Sequence, residues 1–399
     1  MKIAFSSLAG YGHTYPMLPL AIACREAGHD VVYATGVRFA PLLRDLGFRT
    51  VLVGMQIRDA FRIAFEGKSD RIGDLPWKEW IEPATRAFSE LLPRSYATDL
   101  LPVLRAERAD VVVYEAGNPG AGLAAHRLGI PAVCHSHARA DATDRKEPWR
   151  QVDMLQLRAV AAEVGVDVPE GTYLLGDPYL DIFPTSLQEP SFLSRPERRP
   201  LRPLQFSEAG VLPPIAVAAR RRPLIYLTLG TVVGTAPALR AAIEGLSALD
   251  ADVVVATGPN LPAEQFRDLP GNVYLERWVP QGDLMPLADL AVHHGGAATT
   301  LGASGAGLPQ LLLPLASDGF LVAGAVAATG AGRRLLPDGV ERPDQLGDAA
   351  VVSAEAISAA AAELLTDADT RQAAKTVAEE IAAMPSPAEV APRIEAMLA

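Results

Sequence analysis

Residues 2–34 read Lys2-Ile3-Ala4-Phe5-Ser6, then Leu8-Ala9-Gly10-Tyr11-Gly12-His13-Thr14, then a run from Pro16 to Ala27 closed by Gly28, and finally Asp30-Val31-Val32-Tyr33-Ala34. An apolar run, a glycine-containing turn, a stretch with helical spacing and a second apolar run make a β-α-β unit. The rhythm recurs at Thr50 to Val53, at Val111 to Tyr114 followed by Gly117 to Gly122 and a helix to Arg127, and at Pro131 to Cys134. Strands buried on both faces are continuous apolar runs, so the pattern predicts an open parallel α/β sheet with helices on both faces.

From about Gln188 to Pro223 the pattern dissolves into prolines, arginines and polar residues, and the segment 191–222 is expected to be a linker. The rhythm then restarts. Strands are predicted at Leu224 to Leu229, Asp252 to Ala256, Val273 to Glu276, Leu290 to His293 and Gln310 to Leu313, with helices at Pro237 to Leu249, after Gly296 to about Gly305, and from Ala354 to the end. Two doubly wound, Rossmann-like domains follow, 1–190 and 223–380, a division that suits 399 residues. Residues 381–399 are expected to form a helix packing back toward the first domain.

Composition narrows the partners. The chain has 47 acids against 36 Lys plus Arg, a formal charge of −11, and its dense cationic stretches, Arg195 to Arg202 and Arg220 to Arg222, flank prolines in the expected linker. A phosphate-backbone binder needs clustered positive charge, so nucleic acid is excluded as a partner. Cys24 and Cys134, the two cysteines, cannot build a disulfide framework. With neither a signal peptide nor a run of 18 apolar residues, a cytoplasmic protein without a membrane partner is expected, and a homodimer is compatible with it.

The turn Gly10-Tyr11-Gly12-His13-Thr14-Tyr15 stands where a dinucleotide fingerprint would, but Tyr15 replaces its third glycine and no acid follows the second strand. His13 either caps the turn or serves as a base. Glu115 follows the strand Val111 to Tyr114, at the sheet edge where open α/β folds bind ligands. As a partner to His13 it would orient a general base; otherwise it is a loop acid or a helix N-cap.

Trp278-Val279-Pro280-Gln281 and His293-His294-Gly295-Gly296-Ala297-Ala298-Thr299-Thr300 are the most specific stretches. A strand running through glycines into a helix N-terminus is an anion site for phosphate or diphosphate. Adjacent strand residues point to opposite faces, which disfavours a metal at His293-His294. Cys134-His135-Ser136-His137 lacks a second ligand cluster, and the pairs Asp250/Asp252 and Asp367/Asp369 sit at element starts, so no metal site is expected. Phe61, Phe65, Trp77, Trp80, Phe88 and His137 are candidates for lining an apolar acceptor cleft; the aromatics are equally well read as core.

The turn Gly12-His13-Thr14-Tyr15-Pro16, the run Leu229-Gly230-Thr231, the two stretches just quoted, and Gly307-Leu308-Pro309-Gln310 with Pro314 and Asp318 resemble the family 1 glycosyltransferases of the GT-B fold, above all the bacterial enzymes that decorate antibiotics such as enediynes, macrolides and aromatic polyketides. The resemblance implies two Rossmann-like domains facing across a cleft and a metal-independent, inverting transfer without a cofactor, the nucleotide sugar being a substrate. It implies His13 as the base and Glu115 as its carboxylate partner, where many relatives have Asp. Trp278 would stack on the nucleobase and Val279 would pair its edge; Thr231, His294, Gly295, Gly296 and Thr299 would hold the diphosphate, and Asp318 the sugar. Relatives commonly have Gly at Ala298, Gln at Gly319 and Asn near Val322 or Ala323. The missing amide at Gly319 forfeits roughly 1 kcal/mol for a hydroxyl-rich sugar, which points to a deoxysugar, TDP-linked rather than UDP-linked. A catalytically silent partner protein or a nucleotide-sugar epimerase on the same fold are the alternatives.

Overall fold

The computed structural model describes residues 1–68, 77–140, 148–315, 317–341, 345 and 351–398, with 77–78, 148–153 and 317 described by backbone alone. It divides into two units, Met1–Leu204 with Pro385–Ala399, and Gln205–Met384. Among the described residues no helix is long and apolar enough to cross a membrane.

The first unit holds β1 (Lys2–Ser6), β2 (Asp30–Thr35), β3 (Arg49–Leu52), β4 (Val111–Glu115), β5 (Ala132–His135), β6 (Tyr179–Asp181) and β7 (Arg198–Pro200), arranged 3-2-1-4-5-6-7. The second holds β8 (Leu224–Thr228), β9 (Asp252–Ala256), β10 (Val273–Glu276), β11 (Leu290–His293), β12 (Gln310–Leu312) and β13 (Gly332–Arg334), arranged 10-9-8-11-12-13. Every pairing is parallel. Both units therefore show the doubly wound order in which the chain steps out from a central strand, returns, and continues on its other side.

Alternation along the strands explains their composition. Ile225, Leu227, Val253, Val255 and Val292 pack into one cluster. Leu224, Tyr226, Val254, Ala256 and Ala291, one residue out of phase, pack into another on the opposite face. With both faces covered, each of the valines, leucines and isoleucines among them contributes roughly 2 kcal/mol through burial. In the first unit Ala4, Ala34, Val112, Tyr114 and Cys134 share a cluster, while Ile3, Phe5 and Val113 are fully buried in the alternate phase.

The segment 191–222, expected to be a linker, is instead divided between the units. Arg198 pairs with Tyr179 in the sheet and its Nε donates at 2.7 Å to Asp181, which has no solvent exposure. Arginines that looked like a solvated connector thus complete a sheet edge. On the other side of the division, Gln205 Nε2 donates to the Ala298 carbonyl at 3.1 Å and Ser207 Oγ accepts from Gly282 N at 2.8 Å. The C-terminal helix Ala368–Ala383 ends within the second unit. Residues beyond it form short turns rather than one helix; Ser386 and Glu389 make a capping box there, His29 Nε2 lies 3.3 Å from the Ala391 carbonyl, and Val390, Ala391 and Ile394 are buried.

Helices Leu92–Glu107 and Pro119–Leu128 cover one face of the first sheet. Their approach depends on Gly120, where a Cβ would lie 2.8 Å from the backbone carbon of Pro93. Gly120→Ala should lower the unfolding free energy by about 2 kcal/mol through overpacking. A reduced urea midpoint at unchanged slope is the expected reading; an unaltered midpoint would mean the helices have room.

Candidate active site

Ligands in doubly wound sheets bind beyond the carboxyl ends of the strands, where the strand order reverses. That point lies between β1 and β4 in the first unit and between β8 and β11 in the second. The turn carrying His13 and the strand end carrying Glu115 sit at the first of these places, and the turns carrying Gly230-Thr231 and His294-Gly295-Gly296 at the second.

After β1, Gly10 is extended at φ −134° and ψ 149° and opens a helical turn, Tyr11–Thr14. Helix starts here, earlier than the predicted Pro16, which lies in a following 3-10 turn, Tyr15–Met17. Thr14 Oγ1 donates to the Leu8 carbonyl at 3.0 Å and ties the turn down. His13 then directs Nδ1 at Glu115 Oε1, 3.0 Å away.

Glu115, the last residue of β4, has no exposed surface. Its Oε1 also faces Leu8 N at 3.3 Å, and Oε2 accepts from Gly117 N at 2.6 Å. His137 Nδ1 lies 3.0 Å from Oε2. Burial opposes ionisation most, but the combined charges and hydrogen bonds of His13 and His137 overcome it and hold the carboxyl well below the usual carboxylate range. His137, expected to line the acceptor cleft, stacks on His13 with centroids 4.6 Å apart and planes 29° apart. Nitrogen and oxygen ligand atoms of His13, Glu115 and His137 lie within 4.8 Å of one another. Each carboxylate oxygen already faces one backbone N–H and one imidazole nitrogen, so the arrangement is that of a hydrogen-bonded carboxylate.

The other acceptor candidates separate. Phe61 and Phe65 are 2% and 3% exposed and belong to the core, because the helix Ile57–Ala64 turns its apolar side inward. Phe88 is an aromatic neighbour of His13, its ring 6.3 Å from that of His13. The side chain of Trp77 is outside the described residues.

In the second unit β8 and β11 pair Thr228 with His293, so the Gly230-Thr231 turn and the His294-Gly295-Gly296 turn leave adjacent strand ends. Gly230 and Gly295 take φ of +78° and +90°, backbone that other residues adopt at a cost. The His294 ring rests between them and the next helix: a Cβ on Gly230 would lie 2.9 Å from its Nε2, and one on Gly296 2.6 Å. Burial pushes His294 below the ordinary histidine value, with the Asp318 charge opposing. Its Nδ1 is buried without a hydrogen-bond partner among the described residues.

His293 is locked as a neutral ring. Nδ1 accepts from Gly295 N at 3.1 Å and Nε2 donates to Gln310 Oε1 at 2.9 Å, while Gln310 Nε2 donates to Ser304 Oγ at 2.9 Å. Gln310 and Ser304 were not signalled as site residues, and neither were Gln205 and Ser207, because their contacts arise only on folding. Thr299 is buried, its hydroxyl 3.4 Å from Gln281 Oε1; Gln281 also accepts from Tyr226 OH at 3.0 Å and so links the two motifs. The Thr231 carbonyl accepts from Asn260 at 2.6 Å. Trp278 is 40% exposed, Val279 is buried, and Asp318 is exposed beside buried Gly319.

Residues 240–397 match the family model described as "Erythromycin biosynthesis protein CIII-like, C-terminal domain". Across 98% of this chain and 97% of the relative, the sequence is 30% identical to L-demethylnoviosyl transferase of Streptomyces niveus. The chain belongs to the antibiotic glycosyltransferase family. Solved glycosyltransferases share its architecture: SnogD from Streptomyces nogalater, 26% identical, gives a TM-score of 0.75 over 100% of this chain and 99% of that one. The spinosyn rhamnosyltransferase SpnG, solved with thymidine diphosphate, is 23% identical and gives 0.78 over 99% and 100%. The two parallel sheets are those of the GT-B fold.

Burial pushes His135 of this glycosyltransferase down to about 4 and His293 to about 3. Since the folded values lie below the unfolded one of about 6.5, the stability is complete above that pH and is lost as pH falls through the window beneath it. His126, raised by its hydrogen bond to Asp177, acts in the opposite sense as pH rises above the same value and does not offset the loss. Between pH 6.5 and 4.5 the unfolding free energy should drop by up to about 1.4 kcal/mol per pH unit for each of the two rings. Urea denaturation at half-unit pH steps measures this, and a flat profile contradicts it.

Proposed function

We propose that this glycosyltransferase moves a sugar, with inversion, from a TDP-linked deoxysugar to a hydroxyl of a hydrophobic natural product. One observation carries the reading: His13 Nδ1 is held at 3.0 Å by a fully buried carboxylate at a ligand-binding sheet edge. With its Nδ1–H donated to the Glu115 carboxylate in a hydrogen bond, the ring keeps a lone pair on Nε2. Nε2 takes the proton of the acceptor hydroxyl as that oxygen bonds to the anomeric carbon. The bond from that carbon to the diphosphate oxygen breaks, and the nucleoside diphosphate leaves with the electron pair. Attack opposite the leaving group inverts the centre, and Glu115 stabilises the imidazolium that forms.

The leaving charge needs donors already in place. His294 Nδ1, buried without a described partner, suits a diphosphate oxygen, as do the N–H groups opening the helix Ala297–Gly305. Gly295 and Thr231 bring backbone to the same turns. Trp278 presents a face for the nucleobase, Val279 a backbone edge for its pairing, and Asp318 a carboxylate for sugar hydroxyls. Thymidine diphosphate in SpnG, a protein of the same fold, and the sugar named for the Streptomyces niveus relative support the donor.

Gly319 supports it further. A Cβ there would lie 2.6 Å from the His294 carbonyl, and one on Gly295 would lie 2.8 Å from the Gly319 carbonyl. Two glycine backbones in contact leave no room for the amide common at this position, so sugar hydroxyls go unserved there.

His13→Ala should reduce transfer by about 100-fold or more while TDP affinity, measured by isothermal titration, stays unchanged; undiminished transfer would remove His13 as the base. In direct titrations TDP-rhamnose should bind more tightly than UDP-glucose. The reverse order would overturn the donor assignment and leave the base untouched.

A further inference from the structure

Three neighbouring parallel strands each deliver one member of the cluster around Glu115. His13 follows β1, Glu115 ends β4, and His137 lies two residues beyond β5, where His135 pairs with Glu115 in register. The two imidazoles meet opposite oxygens of one carboxylate, each at 3.0 Å. Gly117 supports all three groups: a Cβ there would lie 3.0 Å from Glu115 Oε2, 3.1 Å from His137 Cε1 and 3.2 Å from His13 Cε1. No side chain other than hydrogen fits beneath the paired rings without moving them.

We propose that His137 is a positioning residue of the base, sharing the Glu115 carboxylate with His13 so that the resting site holds one proton on two rings. The inference rests on His13 being the base. A buried carboxylate is best compensated by a single positive charge, since two imidazolium rings 4.6 Å apart repel. A second proton on the pair is therefore opposed by the first. His137 retains the compensating proton while His13 is neutral and able to accept one from the substrate. The pair titrates in two steps that belong to both rings.

Other titratable groups facing the cluster among the described residues are His135, Tyr33, Tyr96 and Cys134. Burial keeps His135 neutral down to about 4, and it pushes Tyr33, Tyr96 and Cys134 above their ordinary values, so none carries charge near neutrality. Glu115 and the two rings are thus the charged groups of the site.

The test is a pH titration of the full chain labelled with 15N-histidine, the seven imidazoles being assigned by single substitutions. In the native protein His13 and His137 should share two titration steps. In His137→Gln, whose amide keeps an N–H near Oε2 without charge, His13 should show one step, displaced upward from the first native step by about one pH unit or more. His13→Gln should leave His137 with a single step in the same way. An unshifted His13 curve in His137→Gln overturns the proposal, and because no donor or acceptor is involved, that result is independent of whether His13→Ala abolishes transfer. Parallel titrations in EDTA and in zinc chloride complete it: rings silent in the purified protein that begin to titrate only in EDTA would mean a cation site and would also overturn it.

Discussion

A carboxylate without solvent exposure is tolerated only when its charge and lone pairs are met from within the protein. Glu115 imposes that condition on the end of β4. Its partners come from the chain after β1, from the turn after β4 and from the chain after β5. Satisfying one buried anion therefore fixes three loops at once, and the ring plane of His13 with them. The orientation that the proposed base requires is the same geometry that lowers the cost of burying the charge.

The second unit meets the opposite electrostatic problem. The diphosphate proposed for it would bring negative charge to a chain that is acidic overall, at −11. Among the described residues no cluster of lysines or arginines stands in the His294 turn. Instead, neutral rings, glycine backbones and a helix N-terminus supply the donors, and such fixed dipoles act over a few ångströms where a screened net charge does not. His293 shows how the turn is held: it reads as half of a doublet in the sequence, yet in the fold it is the buried brace that ties Gly295 to Gln310.

Much of this was legible beforehand, for a physical reason. The runs Lys2 to Ser6, Asp252 to Ala256, Val273 to Glu276 and Leu290 to His293 are strands over the bounds predicted, because a parallel strand covered on both faces has little freedom in composition. Strands β6, β7 and β13 were not foreseen: each has three residues, and β7 consists of two arginines and a proline, a composition suited to an edge. That His13 and Glu115 lie side by side was legible from their positions on the sheet. The part played by His137 was hidden, because the proximity of the Cys134-His135-Ser136-His137 run to Glu115 depends on the β4–β5 register. Phe61, Phe65 and Phe88 looked equivalent as aromatics, and only packing separates core from site.

The chain path carries a consequence for biosynthesis. Residues 205–384 interrupt the first unit in sequence, and that unit recovers its last contacts only with Pro385 and beyond. Val390, Ala391 and Ile394, buried in the folded chain, are made only after the whole second unit has been translated. During synthesis the second unit is available as a continuous stretch, while the first remains incomplete. The unit whose residues are made first is thus the last to be complete.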